Sequence, residues 1–414
     1  MKRQTLMKLH VALLAFLVLG AYAPLSAQDA TITNARIIVS NGTIIDRGSI
    51  VVQGGKIVSV SEGAPPRTVG TVIDANGMTA MPGFIDGHKH VNNGPNSQAQ
   101  MQSLLEAGYT TVLAGGGQAD DNLALSNRIS SGMINGPRII PSGTVSLRQT
   151  PAEARAAVQA LAAKGIKYTG EIGLTPEPAP PQAEIEVLKA IVDEAKKVGV
   201  QVNVHAVSTP AMVAAIDAGV TRLVHLPNKD WTSYEAAEKV AQNGAIVAGL
   251  IAFGAPNIDR LSPAPAAVQW PKDNEARFRD GKPWPEAIAG ANRDPQGRAT
   301  GTEGGYTIIN ARRIWDADPG HTTISYSTDQ NAADIVVLEH ELKSFSIVFS
   351  MADIFRIIGP NAARFVGMQD QIGTLESGKL ADIILLSGNP LENIYGMLTT
   401  KVVMREGKIL VDKR

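Results

Sequence analysis

The sequence has 414 residues, of which 44% are hydrophobic and 19% are charged. This balance is typical of a globular protein with room for one large domain and a smaller companion. A formal net charge of −1 gives no indication of a nucleic-acid partner or an acidic membrane surface. Because the chain contains no cysteine, disulfides, lipid-modified cysteines and thiolate metal ligands are excluded.

The N-terminal segment, residues 1–27, differs in composition from the rest. Three basic residues within the first eight positions precede an apolar run at 11–22, and Leu-Ser-Ala at 25–27 is typical of a cleavage site. This pattern predicts a secretory signal peptide, because the run is too short to span a membrane comfortably. We expect a periplasmic or secreted mature protein without a stable membrane anchor. A retained N-terminal anchor is the alternative.

Short strand-like segments dominate both ends of the remaining chain. Alternating apolar patterns between residues 32 and 60 are separated by glycine-containing turns. The C-terminal region at 373–411 has the same texture, with a hairpin turn at Glu406-Gly407. These two ends predict one small β domain to which both termini contribute.

The middle of the chain alternates strands and helices. Helical stretches at 152–163 and 183–198 show apolar residues spaced near 3.6 positions. Eight apolar segments are predicted as strands: 84–88, 110–114, 138–142, 166–172, 200–205, 222–226, 245–250 and 323–327. Eight such β-α units predict an α/β fold, a (β/α)₈ TIM-type barrel whose chemistry lies at the C-terminal strand ends.

One connection is too long for this alternation. The segment at 252–304 is rich in proline, glycine and charged residues, and it contains Trp270 and Trp284. Loops of this length in compact domains are uncommon and are often functional. We predict an insertion that extends over the catalytic face, with a surface insertion without a role as the alternative.

The first barrel strand ends in the sequence Met81-Pro-Gly-Phe-Ile-Asp-Gly-His-Lys-His90. His88 and His90 are two residues apart, a spacing that puts both imidazoles on one face of a strand. Two neutral imidazoles near an acidic residue predict a site for a first-row metal ion. This stretch resembles the first-strand motif of the amidohydrolase superfamily of metal-dependent hydrolases, and Gly378-Lys-Leu-Ala-Asp382 resembles its C-terminal motif.

The resemblance covers nearly the whole chain after the predicted signal peptide. It implies a (β/α)₈ barrel at 81–369 and a small β-sandwich domain formed from residues 28–80 and 370–414. It also points to the branch that contains enamidase and imidazolonepropionase.

Further candidate ligands lie at the ends of other predicted strands. His205 ends strand five, His225 lies near the end of strand six, and Asp329 follows strand eight. Scattered core histidines would not be expected to occupy equivalent ends of several strands. The sequence therefore predicts one metal site containing His88, His90, His205, His225 and Asp329.

Strand four offers two candidates for a residue that bridges two metal ions. Some superfamily members use a carbamylated lysine on this strand, and others use a glutamate. Lys167 and Glu171 are four residues apart, so we expect both on one face, with Glu171 roughly 13 Å nearer the catalytic end. This position, and the resemblance of Gly-Glu-Ile-Gly-Leu at 170–174 to enamidase, favour Glu171. Carbamylated Lys167 is the alternative.

Three features outside this set have weaker signals. The glycine run in Ala114-Gly-Gly-Gly117 lacks the rest of a phosphate-binding loop, so we expect it to permit close backbone approach at the end of strand two. His321 precedes strand eight, at the opposite end from Asp329, and is expected to be structural. His340 is expected on the loop after strand eight.

The predicted reaction is metal-assisted hydrolysis of a carbon–nitrogen bond in a small molecule, with a non-peptide, cyclic amide as the expected substrate. Asp329 is the expected general acid/base. The expected cofactor is a pair of divalent ions, Zn²⁺ first, with Fe²⁺ or Mn²⁺ as alternatives. A secreted metallodipeptidase, a lactonase, a heterocycle deaminase and a catalytically silent binding protein remain alternatives. A homo-oligomer is left open.

Overall fold

A computed structural model describes residues 28–251, 301–329 and 334–414. The predicted signal peptide at 1–27 and residues 252–300 of the predicted insertion lie outside the described residues. The last residues of that insertion belong to a helix that begins at Gly301. In the described ranges, no helix is long and apolar enough to cross a membrane.

The strands of the described chain are numbered in sequence order. They are β1 Ala30–Ile38, β2 Ile44–Gln53, β3 Lys56–Glu62, β4 Thr71–Asp74, β5 Thr79–Pro82, β6 Phe84–Lys89, β7 Tyr109–Ala114, β8 Arg138–Ile140, β9 Tyr168–Gly173, β10 Gln201–His205, β11 Arg222–Val224, β12 Ile246–Gly249, β13 Ile324–Tyr326, β14 Ile383–Leu386, β15 Thr400–Arg405 and β16 Lys408–Asp412.

The helices are numbered in the same way. They are α1 Ser97–Ala107, α2 Ala119–Ser130, α3 Pro151–Ala163, α4 Gln182–Val198, α5 Thr209–Asp217, α6 Tyr234–Gln242, α7 Gly301–Asp316, α8 Asp334–Val348, α9 Met351–Arg356 and α10 Ala362–Phe365. A π-helical turn at Ile357–Asn361 links α9 to α10, and a 3₁₀ helix spans Ile394–Leu398.

Several helix starts follow from local sequence. Thr150 and Glu153 form a reciprocal capping box around Pro151, the first residue of α3. The Ser208 hydroxyl accepts the Ala211 amide at the start of α5, and Ser233 caps α6 in the same way. These caps fix where each helix begins after the strand that precedes it.

Both ends of the chain contribute to one eight-stranded sheet. Its strand order is β16-β15-β14-β5-β1-β2-β3, with β4 paired to β1. The central pair joins the termini, because β5 runs antiparallel to β14. Apolar side chains from both terminal segments share one core cluster, including Ile32, Ile50 and Ile383. The sequence prediction that both termini build one β unit is therefore confirmed at the level of the sheet.

All eight strands predicted for the middle of the chain are present and parallel to their neighbours, in an α/β arrangement. They form a three-stranded sheet, β6-β7-β8, and a five-stranded sheet, β13-β12-β11-β10-β9. A parallel bridge between Gly143 and Thr169 places the chain after β8 beside β9. The Asp329 amide donates to the His88 carbonyl at 2.8 Å, which places the chain after β13 beside β6.

The structure of strand four, β9, differs from the regular strand on which the prediction of a shared face for Lys167 and Glu171 depended. Strand β9 begins at Tyr168, and Lys167 is exposed just before it. Gln201 pairs with Tyr168 but Asn203 pairs with Glu171, so β9 contains one extra residue over this interval. Such a bulge interrupts the two-residue alternation of side chains. The alternation on which a shared face for Lys167 and Glu171 depended therefore does not hold here.

The position predicted for His340 was wrong. His340 lies within α8 and is buried, whereas a loop was expected. Helix α8 carries several buried polar residues among its apolar ones, which obscured its helical periodicity in the sequence. His321 lies before β13, at the end expected, and its ring stacks on Trp315 at a centroid distance of 4.8 Å.

Candidate metal centre

Two imidazoles lie at the C-terminal end of β6, His88 within the strand and His90 directly after it. His88 is 1% exposed and His90 is 38% exposed. Their rings meet edge to face with centroids 5.5 Å apart. This arrangement agrees with the same-face spacing expected for residues two apart near a strand end.

The β6 histidines converge with two carboxylates. Asp329 Oδ1 lies 3.2 Å from His88 Nε2 and 3.0 Å from His90 Nε2. Glu171 Oε1 lies 3.4 Å from His90 Nε2. His88, His90, Glu171 and Asp329 have ligand atoms close enough together to hold one metal ion, and we call them the first ligand group.

A second ligand group uses the same glutamate. Glu171 Oε2 lies 2.8 Å from His205 Nδ1 and 3.3 Å from His225 Nε2. The two imidazoles come from the ends of β10 and β11, and their centroids are 4.6 Å apart. Glu171, His205 and His225 therefore form a separate set with metal-ligand spacing. Glu171 belongs to both groups: Oε1 faces His90, and Oε2 faces His205 and His225 while also lying 3.7 Å from His88 Nε2.

Two of these residues have an unusual backbone. His225 has a φ of 67° and Asp329 a φ of 55°, both in the left-handed region that favours glycine. His225 follows β11 directly, Asp329 lies three residues after β13, and both side chains reach the metal centre. Such conformations cost roughly 1–3 kcal/mol and are concentrated at functional sites.

The neighbouring histidines lower the pKa values of the Glu171 and Asp329 carboxyl groups. Burial raises the pKa of Glu171, but hydrogen bonds from His205, His225 and His90 outweigh burial and hold it far below its usual range. Asp329 behaves in the same way, with the His88 and His90 imidazoles as the neighbours that lower its pKa. Both side chains are therefore anionic at neutral pH, as metal ligands must be.

The pKa values of His88 and His90 are shifted in opposite directions. The Asp329 and Glu171 carboxylates raise the pKa of His90 to about 10. Burial lowers the pKa of His88, so its imidazole is kept neutral. A divalent cation between these groups would replace the proton on His90, because an imidazole binds metal in its neutral form.

The residues present fit a metal ion. His88 Nε2 and Asp329 Oδ1 are buried and have no hydrogen-bond partner in the described part of the chain. They lie 3.2 Å apart without hydrogen-bond geometry. Unpaired buried polar atoms are costly, and a shared cation satisfies both. Four imidazoles and two carboxylates suit Zn²⁺ and other first-row divalent ions.

The predicted ligands are thus brought together, with one exception. His88, His90, Glu171, His205, His225 and Asp329 all belong to the two ligand groups. Lys167 is exposed and lies just before β9, three residues before Gly170 and four before Glu171. The geometry therefore favours Glu171 as the shared residue.

Sequence reasoning missed the buried polar residues that surround the first ligand group. The carboxylate of Asp86 accepts the amides of His88 at 3.0 Å and Thr328 at 3.1 Å. Burial raises the pKa of Asp86 to about 6 even though the Lys89 charge opposes this. The chain after β13 is thereby tied to β6 immediately before Asp329.

Lys89, the residue between the two histidines, is also buried. Its ammonium forms an ion pair with Asp334 at 2.8 Å, and the two side chains are only 1% and 5% exposed. Asp334 is the first residue of α8, where a carboxylate also interacts favourably with the helix dipole. The available signal was a lysine between two candidate ligands in a predicted strand, where a charge that becomes buried requires a partner.

Comparison with known proteins tests the resemblance inferred from the motifs. The sequence pattern of the Amidohydrolase family matches residues 79–410. The chain belongs to the amidohydrolase family. This confirms the resemblance, and the match includes every candidate ligand named above.

Individual curated relatives match shorter parts of the chain than the family pattern does. The chain is 34% identical over 97 residues to an N-acyl-D-aspartate deacylase of Alcaligenes xylosoxydans xylosoxydans, covering 22% of this chain and 19% of that protein. It is 32% identical over 104 residues to an imidazolonepropionase of Herpetosiphon aurantiacus, covering 24% and 22%. The chain thus spans about a fifth of the length of these curated relatives.

Similarity of fold extends much further than similarity of sequence. The solved structure of a Xaa-Pro dipeptidase with methionine bound in its active site covers 92% of this chain and 100% of its own. Its TM-score is 0.75 at 21% sequence identity. This neighbour supports the α/β architecture of the chain.

Proposed function

We propose that the protein is a metal-dependent hydrolase that cleaves a non-peptide amide carbon–nitrogen bond in a small molecule. The observation that carries this proposal is the pair of ligand groups that share Glu171 at the C-terminal ends of the parallel strands. The family match supports hydrolysis of a carbon–nitrogen bond, and the similarity to an imidazolonepropionase supports a cyclic amide as the substrate class.

The residues at this site have different proposed roles. The first ligand group and the second ligand group would each hold one divalent ion, Zn²⁺ or in its place Fe²⁺ or Mn²⁺, with Glu171 between them. Bound ions would supply Lewis acidity, which activates water and polarises the carbonyl carbon. Half-exposed His90 and His205 form the open side of the site, where substrate enters.

Asp329 is the proposed general acid/base. Its carboxylate lies at the centre of the first ligand group and is anionic at neutral pH. It therefore accepts a proton from the attacking water and returns it to the leaving nitrogen. The left-handed backbone at Asp329 and the Asp86–Thr328 contacts before it hold the carboxylate in this position.

The proposal includes an architecture and a location. The contacts that join β8 to β9 and β13 to β6 support a closed (β/α)₈ barrel over 81–369. The core shared by both termini supports a small β-sandwich domain at 28–80 and 370–414. The basic start, apolar run and Leu-Ser-Ala motif support export, with cleavage after Ala27 and a mature chain that begins at Gln28.

A metal assay joined to a substrate panel tests this function. The exported protein should contain divalent metal and hydrolyse members of a cyclic-amide panel, with loss of activity on chelation and recovery on adding Zn²⁺. Dipeptides including Xaa-Pro, lactones and heterocyclic amidines complete the panel, with ammonia release reporting deamination. Preference for any of these three classes would replace the proposed substrate class. A metal-free, inactive protein would overturn the proposal.

A further inference from the structure

The glycine run after β7 contacts the metal centre without supplying a ligand. The amide of Gly115 donates to the Lys89 carbonyl at 2.9 Å, between the two β6 histidines. The carbonyl of Gly115 accepts the Glu171 amide, also at 2.9 Å. One residue therefore links the backbone of the first two ligands to the backbone of the shared glutamate.

The missing side chain of Gly115 leaves room for His88. A Cβ built at Gly115 would lie 2.7 Å from His88 Cε1 and 2.9 Å from His88 Nε2. Both distances are shorter than side chains tolerate, so the imidazole would have to move. The displaced ring atoms include Nε2, the one that faces Asp329.

The His88 ring cannot move without disturbing other ligands. It is almost fully buried and packs edge to face against His90, at 5.5 Å, and His225, at 5.3 Å. Gly116 differs in this respect. A Cβ there would lie 3.3 Å from His90 Cε1, and His90 has solvent on one side into which it can shift.

A second glycine supports the same contact from β9. A Cβ at Gly170 would lie 3.0 Å from Gly116 Cα and 3.3 Å from the Gly115 carbonyl oxygen. The backbones of the glycine run and of β9 therefore approach each other directly beside Glu171. This close approach permits the hydrogen bond between Gly115 and Glu171.

We propose that Gly115 is a positioning residue for the metal centre, acting through His88 and Glu171. Its lack of a side chain sets the position of the His88 imidazole, and its two backbone hydrogen bonds set the distance between β6 and β9. This inference rests on the proposed function, because it assigns a role relative to metal ligands. It predicts that a methyl group at residue 115 weakens the first ligand group, which contains His88, more than the second.

The test compares Gly115→Ala with Gly173→Ala. Gly173 ends β9, two residues after Glu171, and a Cβ there meets nothing within 4 Å. Gly115→Ala should weaken binding of one of two ions by about 10–100-fold in chelator competition, the range found when groups that orient ligands are changed. The visible absorption of the Co²⁺-loaded protein should change with it. Gly173→Ala should retain both ions and the wild-type spectrum.

A double-mutant cycle keeps the inference testable if Gly115→Ala folds poorly. In a His88→Ala background there is no ring for the added methyl to contact, so Gly115→Ala should then cost little in thermal stability or in affinity for the remaining ion. Equal costs with and without His88 would overturn the inference. So would unchanged metal affinity of Gly115→Ala itself.

The same measurements separate the two proposals. A wild-type protein that binds no divalent metal overturns the proposed function, and this inference with it. A wild-type protein that binds two ions, with Gly115→Ala indistinguishable from it, overturns only the role assigned to Gly115.

Discussion

The two ends of the parallel strands differ in how their charged and polar groups are paired. At the N-terminal end, Arg138 begins β8 and binds Asp382 at 2.8 Å and Glu406 at 2.7 Å. Arg222 begins β11 and donates to the Phe365 carbonyl at 3.0 Å. At the C-terminal end, the His88 imidazole and the Asp329 carboxylate lie 3.2 Å apart, and the buried atoms His88 Nε2 and Asp329 Oδ1 have no hydrogen-bond partner within the described residues.

This difference separates stability from function within one set of strands. At one end, Arg138 joins β8 to residues beside β14 and β15 of the eight-stranded sheet, and Arg222 joins β11 to the end of α10. The other end tolerates left-handed backbone at His225 and Asp329 and orphaned polar atoms, which cost stability unless a ligand satisfies them. In (β/α)₈ barrels, the architecture proposed for this chain, chemistry lies at the C-terminal end and stabilising contacts at the N-terminal end.

The largest expected effect is on turnover, at the C-terminal end. Asp329→Asn keeps the shape of the side chain and an oxygen ligand but removes the base. Turnover should fall by about 10²–10⁴-fold, the range of general acid–base catalysis, while the protein folds and largely retains metal. Steady-state rates and metal content of the purified variant check this. Near-normal turnover would show that another group moves the proton.

The next effect is on stability, at the opposite end. Arg138→Met leaves the buried carboxylate of Asp382, only 4% exposed, without its cation. Breaking such a pair typically costs about 3–5 kcal/mol, so the unfolding midpoint should fall clearly while metal content per folded chain stays constant.

Lys164→Met is the control for this change. It removes an ion pair with Asp120 in which both side chains are exposed, so it should cost at most about 1 kcal/mol. If Arg138→Met were no more destabilising than this control, the N-terminal end would not have the stabilising role assigned to it.

A smaller effect is expected on the pH dependence of stability, through the Glu406 carboxyl group. Burial raises the pKa of Glu406, but the Arg138 guanidinium outweighs burial and lowers it overall. A carboxyl with a lowered pKa in the folded state stabilises the fold above its unfolded pKa of about 4.3, and this contribution is lost as pH falls through the folded value. Glu406→Gln should therefore lower the melting temperature at pH 7 and progressively less below about pH 4. An equal shift at pH 7 and pH 3 would contradict the assignment.

The parts of the fold that follow from local patterns were predictable. The eight parallel strands were recognised from apolar segments and the helices between them from spacing near 3.6 residues. The ligands were recognisable because histidines such as His205 and His225 followed those strands, and converging strand ends bring them together. The family motif at His88 and His90 supplied the starting point.

The parts that depend on tertiary contacts were not predictable. The extra residue in β9 changes which side chains share a face, and it appears only in the pairing with β10. The partner of Lys89 is Asp334, far away in sequence, so its burial could not be read from residues near it. Helix α8 was hidden because buried polar residues such as His340 interrupt its apolar pattern.

Glu171 is proposed as the residue shared by two metal ions. The most direct test is the metal content of the wild-type protein, Glu171→Gln and Lys167→Ala after identical purification. We expect two ions per wild-type chain, a marked loss in Glu171→Gln because both ligand groups lose an anionic oxygen, and no change in Lys167→Ala, whose side chain lies in solvent before β9. If Lys167→Ala emptied the site, and reconstitution depended on bicarbonate, a carbamylated Lys167 would replace Glu171 as the bridge.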